Sequence, residues 1–392
     1  MVFVMTACAE NSSQSEKSQP AEQTTVQPTT MSAEEINDRK LDKFISDMTL
    51  EEKVGQMFFV RCPDEGAVQQ VSEYNIGGYI LFGRDFDGKT KDEVVDDIHS
   101  YQNEADIPLL IGVDEEGGTV VRVSSNPNLR ETPFLSPKDT YADGGWDAVK
   151  QDAEEKADLL LSLGINVNLA PVCDMTSDEY AFMYDRSFSS DVDMENRYVR
   201  TVVETSKSKK LGTVLKHFPG YGNNSDTHTG IAYDDRDYSE FENTDFKLFY
   251  QGIESGADCI LVSHNIVNCM DSEYPASLSQ KVHDILRNEF KFDGVIMTDD
   301  LIMDAITDFT GDEAAAVTAA KCGNDLLCCS SVDTQYPAVL EAVQNGEISE
   351  AQVDASVKRI LKWKQNLGIF NIDTYQKKVK STEPTDTVES EE

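Results

Sequence analysis

The sequence predicts a single α/β domain, a (β/α)8 barrel of the TIM type, and three observations support this fold class. The chain has 392 residues, which is enough for one large α/β barrel or for two ordinary domains. Eight short apolar runs recur along it, and most segments between them carry helical patterns. Polar residues follow most of these runs, where a barrel gathers them on one face. A doubly wound sheet is the main alternative, but no G-x-G-x-x-G follows the first run.

The eight predicted strands are near-continuous apolar runs, as expected for strands that are covered on both faces. In chain order they are 57–61, 78–82, 109–114, 166–171, 213–217, 259–264, 295–299 and 325–329.

Helical patterns alternate with these strands. Two capping boxes, Ser32-x-x-Glu35 and Thr49-x-x-Glu52, predict helices ahead of the first strand. The other predicted helices are 147–163, 194–209, 241–255, 278–290, 313–321 and 349–367.

The composition excludes several classes of protein. Asp and Glu number 72 against 34 Lys and Arg, a net charge of −38, which argues against nucleic acid as a partner because phosphate binding needs a basic surface. No apolar run is long enough to span a membrane. The 8 cysteines include no C-x-x-C pair, so neither a zinc pattern nor a small disulfide framework is present. We expect a monomer that needs no metal and no organic cofactor.

Both ends of the chain are predicted to lie outside the barrel, which is expected at 32–371. Residues 1–8 resemble the end of a bacterial lipoprotein signal, with Cys8 as the lipidated residue. Residues 9–31 are rich in Ser, Gln, Thr and Pro, which predicts a disordered linker, and 372–392 is predicted to be an acidic disordered tail.

The apolar run before Cys8 is too short for a complete signal and has no basic region ahead of it. Either the true start lies upstream, or this is an ordinary disordered N-terminus. A lipidated chain is expected on the extracellular face of the bacterial cell membrane, or secreted. A chain without a signal is expected in the cytoplasm.

Asp299 ends the seventh predicted strand. Strand alternation places Val295, Met297 and Asp299 on one face and Asp300 on the other. A carboxylate at the mouth of a barrel suits a nucleophile or a stabiliser of positive charge. The alternative is that Asp299 or Asp300 caps the following helix.

Asp226 and His228 lie two residues apart in a Gly-rich segment after the fifth strand. A carboxylate that hydrogen-bonds an imidazole orients it and stabilises its charged form, which suits a general acid/base. The spacing is also common by chance. A metal site would need a third ligand, and no H-E-x-x-H or similar spacing supplies one.

Charged residues at other strand ends could hold a polar ligand. Lys216 and His217 end the fifth strand, and sugar oxygens could accept hydrogen bonds from them. Alternatively, they form structural ion pairs with Asp114 or Asp174. Acids and paired glycines follow the third strand, and Arg186 offers a further cation after the fourth.

Seven motifs in order give the chain a family resemblance. They are residues 48–57 (MTLEEKVGQM), 76–83 (IGGYILFG), 112–118 (GVDEEGG), 168–172 (NLAPV), 185–188 (DRSF), 216–220 (KHFPG) and 298–301 (TDDL). Together they resemble the single-domain β-N-acetylglucosaminidase branch of family 3 glycoside hydrolases, over essentially the whole predicted barrel.

This resemblance implies a retaining, exo-acting enzyme that removes terminal β-linked N-acetylglucosamine from peptidoglycan fragments or chitooligosaccharides. It implies that Asp299 is the nucleophile and that His228, tuned by Asp226, is the acid/base. The sugar-binding residues that it implies are Asp114, Arg122, Arg186, Lys216 and His217.

The chain departs from the family pattern at two positions. The family often has His where Tyr221 stands, so no role is carried over to Tyr221. It often has Arg where Thr119 stands, which puts the binding of the leaving group in doubt.

Three alternative functions remain open. A family 3 β-glucosidase usually takes its acid/base from a second domain, whereas this chain ends soon after the barrel. A β-N-acetylglucosaminide phosphorylase could use the same site, because an imidazole adds no negative charge that would repel phosphate. A lipoprotein that binds wall sugars without cleaving them is the non-enzyme alternative.

Overall fold

The computed structural model describes residues 31–224, 226–227, 230–310 and 312–377. The chain divides into a short N-terminal unit that ends at Arg39 and a body that begins at Lys40. In the N-terminal unit, Ser32 N donates to Glu35 Oε2 at 2.7 Å and Glu35 N donates to Ser32 Oγ at 3.1 Å. The capping box predicted at this position is therefore confirmed.

The body contains the predicted barrel. The strands among the described residues are Phe58–Arg61 (β1), Gly78–Leu81 (β2), Leu110–Val113 (β3), Val167–Asn168 (β4), Gly212–Phe218 (β5), Tyr233–Asp234 (β6), Cys259–Val262 (β7), Ile266–Val267 (β8), Val295–Thr298 (β9) and Leu327–Cys329 (β10). Eight of them form one parallel sheet in the order β10-β1-β2-β3-β4-β5-β7-β9. A parallel bridge between Met297 and Leu326 joins its two outer strands. The predicted fold class is therefore confirmed.

Side chains complete the seam between β9 and β10. Ile296 N donates to Asp325 Oδ2 at 2.9 Å, and Cys328 N donates to Thr298 Oγ1 at 3.0 Å. Asp325 is buried, and its Oδ1 accepts from Ser356 Oγ at 2.9 Å. These side chains satisfy backbone amides that the short strand pairing does not reach.

Helices alternate with most of these strands along the chain. They are Ala33–Ser46 (α1), Leu50–Gln56 (α2), Ala67–Tyr74 (α3), Gly83–Phe86 (α4), Lys91–Glu104 (α5), Pro137–Ser162 (α6), Val192–Lys209 (α7), Tyr238–Asn243 (α8), Asp245–Glu254 (α9), Gln280–Asp284 (α10), Asp304–Thr310 (α11), Asp312–Cys322 (α12), Val332–Gln344 (α13) and Glu350–Asn366 (α14). The predicted helices 194–209, 313–321 and 349–367 match α7, α12 and α14 closely.

Other predicted helices differ in their bounds. α6 begins ten residues before the predicted start, at a cap in which Asp139 N donates to Ser136 Oγ, and it is interrupted at Gly144 and Gly145. The predicted helix 241–255 is divided into α8 and α9 at Thr244. The predicted helix 278–290 becomes α10 followed by a π-helical turn at Ile285–Glu289.

Several elements are not predicted from sequence. α3, α5 and α13 have no counterpart among the predicted helices, although a Thr90–Glu93 capping box opens α5. β6 and β8 pair as a separate two-stranded parallel sheet. Two residues per strand carry no periodic signal that a sequence pattern could reveal.

The strands are buried on both faces, as their apolar composition predicts. Every residue of β2, β3, β7 and β9 is buried. Full burial of one Val, Leu, Ile or Phe side chain contributes roughly 1.5–3 kcal/mol to the free energy of folding. The well-packed strands therefore form a rigid support for the polar residues at their ends. Within the described ranges, no helix is both long and apolar enough to cross a membrane.

Candidate active site

A cavity of about 600 Å³ opens at the C-terminal ends of the barrel strands. Its lining includes every predicted site residue that the structure describes, namely Asp114, Arg122, Arg186, Lys216, His217, Asp226 and Asp299. The other two predicted residues, His228 and Cys8, lie outside the described residues. The barrel thus brings together side chains that are far apart in sequence, although this does not by itself assign their roles.

Glu116 is the centre of a buried charge cluster at one side of the cavity. Arg186 binds it through two hydrogen bonds, from Nε to Oε2 at 2.9 Å and from Nη2 to Oε1 at 2.8 Å. Lys216 Nζ lies 2.6 Å from Glu116 Oε1 and 2.6 Å from Asp114 Oδ1. The side chains of Glu116 and Lys216 are each 3% exposed, and that of Asp114 is 15% exposed. Asp114 is therefore more accessible from the cavity than Glu116 or Lys216.

The members of this cluster fix one another's charges. Burial alone would raise the pKa of Glu116, but Arg186 and Lys216 hold it well below its ordinary value. Burial alone would lower the pKa of Lys216, but Asp114 and Glu116 raise it. The structural ion pair between Lys216 and Asp114, left open by the sequence, is thus present. Fixed charges of this kind also make strong hydrogen bonds to neutral hydroxyl groups.

His217 is held between Asp174 and Arg186. Its Nδ1 lies 2.7 Å from Asp174 Oδ2, and its Nε2 lies 3.2 Å from Arg186 Nη2. An arginine can only donate, so Nε2 must accept and the ring proton must lie on Nδ1. Asp174 is fully buried and also accepts from the backbone N of His217 at 3.1 Å and of Tyr221 at 2.7 Å. His217 is therefore a fixed wall of the cavity with one defined tautomer.

Asp299 follows β9 directly. Its backbone N donates to Val262 O at 3.1 Å in the neighbouring β7, and its Oδ1 accepts from Asp300 N at 2.9 Å. These two contacts fix both the main chain and the carboxylate. A carboxylate held in this way in a cavity can attack an electrophilic carbon or stabilise positive charge there.

Asp300 forms the turn after Asp299. Its Oδ2 accepts from Ser330 Oγ at 2.8 Å, and its carbonyl accepts from His264 Nε2 at 3.0 Å. Burial raises the pKa of Asp300, and the charge of Asp299 adds to this effect. Of the two acids, Asp300 supports the turn, since its Oδ1 accepts from Ile302 N at 3.2 Å.

Asp226 lies on the segment that connects β5 to β6. Its neighbour Thr227 is completely buried and is hydrogen-bonded through Oγ1 to the hydroxyl of Tyr221. Burial and then the charge of Asp299 raise the pKa of Tyr221. Tyr221 lines the cavity together with Asp299 and Asp226. The Tyr that stands where the family often has His therefore anchors the Asp226 segment.

Arginine donors remain available in the cavity. Glu115 Oε2 accepts from the backbone N of Arg122 at 2.8 Å and of Val123 at 2.7 Å, and so shapes the loop that carries Arg122. The Nε atoms of Arg122 and Arg61 are buried without a hydrogen-bond partner among the described residues. The Arg61 guanidinium lies 4.3 Å from the centre of the Phe82 ring. An unsatisfied buried donor is costly, so a ligand oxygen would stabilise it.

Three residues of this site have no role predicted from sequence: Glu116, Arg61 and Tyr221. Asp174 is predicted as a possible structural ion-pair partner, and the structure pairs it with His217. One signal for Glu116 exists in the run of acids before two glycines. Nothing in that run distinguishes Glu116, which binds cations, from Glu115, which shapes the backbone.

The chain is similar to proteins of a known family. Residues 49–363 match the model of the glycosyl hydrolase family 3 N terminal domain. A beta-hexosaminidase of Hydrogenovibrio crunogenus is 31% identical over 286 residues, which cover 71% of this chain and 79% of that protein. A beta-hexosaminidase of Nitrosomonas eutropha is 32% identical over 273 residues, which cover 68% of this chain and 77% of that protein.

Solved structures show the same similarity. A glycoside hydrolase family 3 beta-N-acetylglucosaminidase from Paenibacillus sp. matches with a TM-score of 0.77 and 29% identity, over 87% of this chain and 66% of that one. A family 3 glycosyl hydrolase from Mycobacterium smegmatis matches with a TM-score of 0.74 and 26% identity, over 81% of this chain and 98% of that one. Since the family model spans most of the barrel, the chain belongs to glycosyl hydrolase family 3 and is a glycosidase.

Proposed function

We propose that this glycosidase is a retaining, exo-acting β-N-acetylglucosaminidase that releases terminal β-linked N-acetylglucosamine from peptidoglycan fragments or chitooligosaccharides. The observation that carries the proposal is the cavity at the strand ends, which contains both Asp299 and Asp226 beside a buried cluster of fixed charges. The names of the similar proteins, beta-hexosaminidase and beta-N-acetylglucosaminidase, support the choice of sugar.

In the first step, Asp299 attacks the anomeric carbon of the terminal sugar. A bond forms between the carboxylate oxygen and this carbon while the bond to the leaving oxygen breaks. The leaving oxygen takes the bonding electrons, and the imidazolium of His228 donates a proton to it. The product is a covalent glycosyl-enzyme, as in retaining hydrolysis generally.

In the second step, neutral His228 removes a proton from a water molecule. The water oxygen attacks the anomeric carbon, and the carboxylate of Asp299 leaves. The sugar keeps its β configuration, and His228 is protonated for the next cycle. An imidazole has an ordinary pKa of about 6.5, so it can serve as both acid and base near neutral pH without a large shift. Asp226 would orient the ring and stabilise its charged form.

The charge cluster is proposed to bind the terminal sugar. Asp114 can accept hydrogen bonds from sugar hydroxyls, while Lys216, Arg186 and Arg122 can donate to them. Because Lys216 and Arg186 are already held by Glu116, the sugar would meet cations that need no further ordering. Binding then costs less conformational entropy.

Hydrolysis assays with and without phosphate test the proposal. We expect the wild-type chain to cleave nitrophenyl β-N-acetylglucosaminide much faster than nitrophenyl β-glucoside, and phosphate to leave the rate and product unchanged. Preference for the glucoside would instead identify a β-glucosidase. Phosphate-dependent formation of a sugar phosphate would identify a phosphorylase, and binding without turnover a sugar-binding protein.

We also propose, from the sequence alone, that Cys8 carries a lipid anchor that holds the enzyme on the extracellular face of the cell membrane. In a bacterial host, the chain should incorporate labelled palmitate and partition with membranes, whereas Cys8→Ser should do neither. Equal labelling of the two chains would contradict the anchor.

A further inference from the structure

One side chain, that of Arg236, binds both ends of the segment between β5 and β6. Arg236 Nη2 donates to the carbonyl of Gly220 at 3.0 Å, where the segment leaves β5. The same guanidinium binds Asp234, the last residue of β6, with Nη2 at 2.7 Å from Oδ2 and Nε at 3.1 Å from Oδ1. Arg236 therefore joins the two stems of the segment that carries Asp226.

Arg236 is fixed to the barrel by Asp245, the first residue of α9. Its Nη1 lies 3.0 Å from Asp245 Oδ2, and its guanidinium lies 4.1 Å from the centre of the Phe241 ring. The side chain of Arg236 is 25% exposed, those of Asp234 and Asp245 only 3% and 2%. Burial alone would lower the pKa of Arg236, but Asp234 and Asp245 raise it. We call Arg236, Asp234, Asp245 and the Gly220 carbonyl the Arg236 clamp.

The backbone of the segment packs directly on this clamp. A Cβ atom on Gly220 would lie 1.9 Å from Asp245 Oδ1, and one on Gly222 would lie 2.8 Å from Arg236 Cζ. Both glycines also have positive φ, 127° and 54°, which other residues rarely adopt. The main chain of the segment is therefore in direct van der Waals contact with Arg236 and Asp245.

The clamp reaches a residue that lies two positions before Asp226. Asn224 Nδ2 donates at 2.9 Å to Asp234 Oδ2, the oxygen that Arg236 also binds. On the other side of Asp226, Thr227 is held by the hydroxyl of Tyr221. Asp226 is thus flanked by a residue tied to the clamp and a residue tied to the cavity wall.

We propose that Arg236 is a positioning residue for proton transfer. The clamp sets the place of the segment that carries Asp226, so that the acid/base acts on the leaving oxygen. This inference rests on the proposed function, because it assumes that the segment supplies the proton. It predicts that loss of the clamp impairs proton donation more than it impairs sugar binding or nucleophilic attack.

A second half-buried arginine provides a matched control. Arg359 is 24% exposed and lies 3.0 Å from the carboxylate of Asp325, which is 1% exposed. The pair resembles that of Arg236 in burial and charge, but Asp325 lies at the N-terminal end of β10, opposite the cavity. Arg359→Gln thus reports the general effect of losing a buried ion pair.

The experiment compares two substrates that differ in their need for a proton. Nitrophenyl β-N-acetylglucosaminide has a leaving group that departs without much help, whereas chitobiose has one that needs protonation. For Arg236→Gln we expect kcat/KM to fall less than about 3-fold with the aryl glycoside and about 100-fold with chitobiose, within the range of general acid catalysis. Arg236→Ala should regain activity on chitobiose, and not on the aryl glycoside, when guanidinium ion is added at a concentration that leaves the fold intact.

Several outcomes would overturn the proposal. They are equal losses on both substrates, the same selective loss in Arg359→Gln, or no selective rescue by guanidinium. If Arg236→Gln does not fold, Arg236→Lys is the second variant, since it keeps the charge but lacks the planar fork. Failure of both to fold would make the clamp a folding element and reject a positioning role. Absence of turnover by the wild type would contradict the proposed function instead, whereas a non-selective loss beside an active wild type would contradict only the clamp.

Discussion

Lys216 and Arg186 contact the same oxygen atom, Oε1 of Glu116, at 2.6 and 2.8 Å. Two cations from different parts of the barrel thus depend on one carboxylate that is itself nearly inaccessible to solvent. Asp114 supplies a second carboxylate in contact with Lys216. The position of the cationic wall is therefore determined by a residue that need not touch the sugar.

Glu116→Gln should weaken both the fold and the site. It leaves Arg186 without its bidentate carboxylate, and breaking a buried ion pair typically costs about 3–5 kcal/mol. Displaced binding groups should also lower kcat/KM by about 100-fold. Denaturant unfolding and steady-state kinetics measure the two effects. Glu155→Gln is the control, because Glu155 pairs with Arg130 and is 51% exposed, and it should change stability by less than about 0.5 kcal/mol.

The same carboxylate predicts sensitivity to acid. The pKa of Glu116 is held well below its ordinary value of 4.5. A depressed carboxyl stabilises the folded state fully above the unfolded pKa and loses this contribution as pH falls through the folded one. The free energy of unfolding should therefore decline below about pH 4.5, the ordinary value for this group. Glu116→Gln should show a shallower decline, and an identical pH profile would reject the assignment.

Asp299→Ala should remove turnover and leave the fold intact. Loss of a nucleophile lowers kcat by about 10³-fold or more. It also removes a negative charge beside Asp300, whose pKa is raised by burial and by Asp299, so stability should not fall. Kinetics and thermal unfolding check the two parts. Substantial residual kcat in a folded variant would exclude Asp299 as the nucleophile.

His228→Ala should affect substrates unequally. Aryl glycosides with good leaving groups need little protonation, whereas an oligosaccharide does, so the latter should lose about 10²–10⁴-fold more activity, the range of general acid catalysis. Asp226→Asn should show the same ranking with smaller losses. Equal losses on both substrates would reject the acid/base assignment.

Lys364 should contribute stability that increases with pH above about 7. It is fully buried, its Nζ lies 2.7 Å from Gln56 Oε1, and burial lowers its pKa from 10.5 to about 7. Between these values the unfolded state holds a proton that the folded state lacks, so stability rises by up to about 1.4 kcal/mol per pH unit. In Lys364→Met this contribution should vanish. The difference in the free energy of unfolding between the two chains from pH 6 to 10 isolates it, because buried cysteines with raised pKa values lower the stability of both chains above about pH 9. A difference that does not change with pH would contradict the neutral buried amine.

The barrel was predictable because its strands are apolar on both faces and its helices carry caps. The seven site residues that lie in the cavity were marked by their place at strand ends or by the family resemblance. Glu116 lies within the 112–118 motif and Arg236 in none of the motifs, and neither was given a role, because their importance lies in what they hold rather than in a local pattern. Charges brought together from β3, β5 and α9 leave no periodic trace in the sequence. Neither does the role of Tyr221, which depends on how the chain folds back to bring Thr227 to its hydroxyl.

The way in which the barrel closes also determines where it should open first. At the seam between β9 and β10, backbone hydrogen bonds such as that from Thr298 N to Leu326 O are present, but the amides of Ile296 and Cys328 donate to side chains instead of carbonyls. Local opening of the barrel should begin at this seam, and amide hydrogen exchange at Ile296 and Cys328 would report it. Asp299 follows β9 directly, so the first partial opening would displace the proposed nucleophile. The enzyme would then lose activity before the whole chain unfolds, so its inactivation temperature would lie below its unfolding temperature.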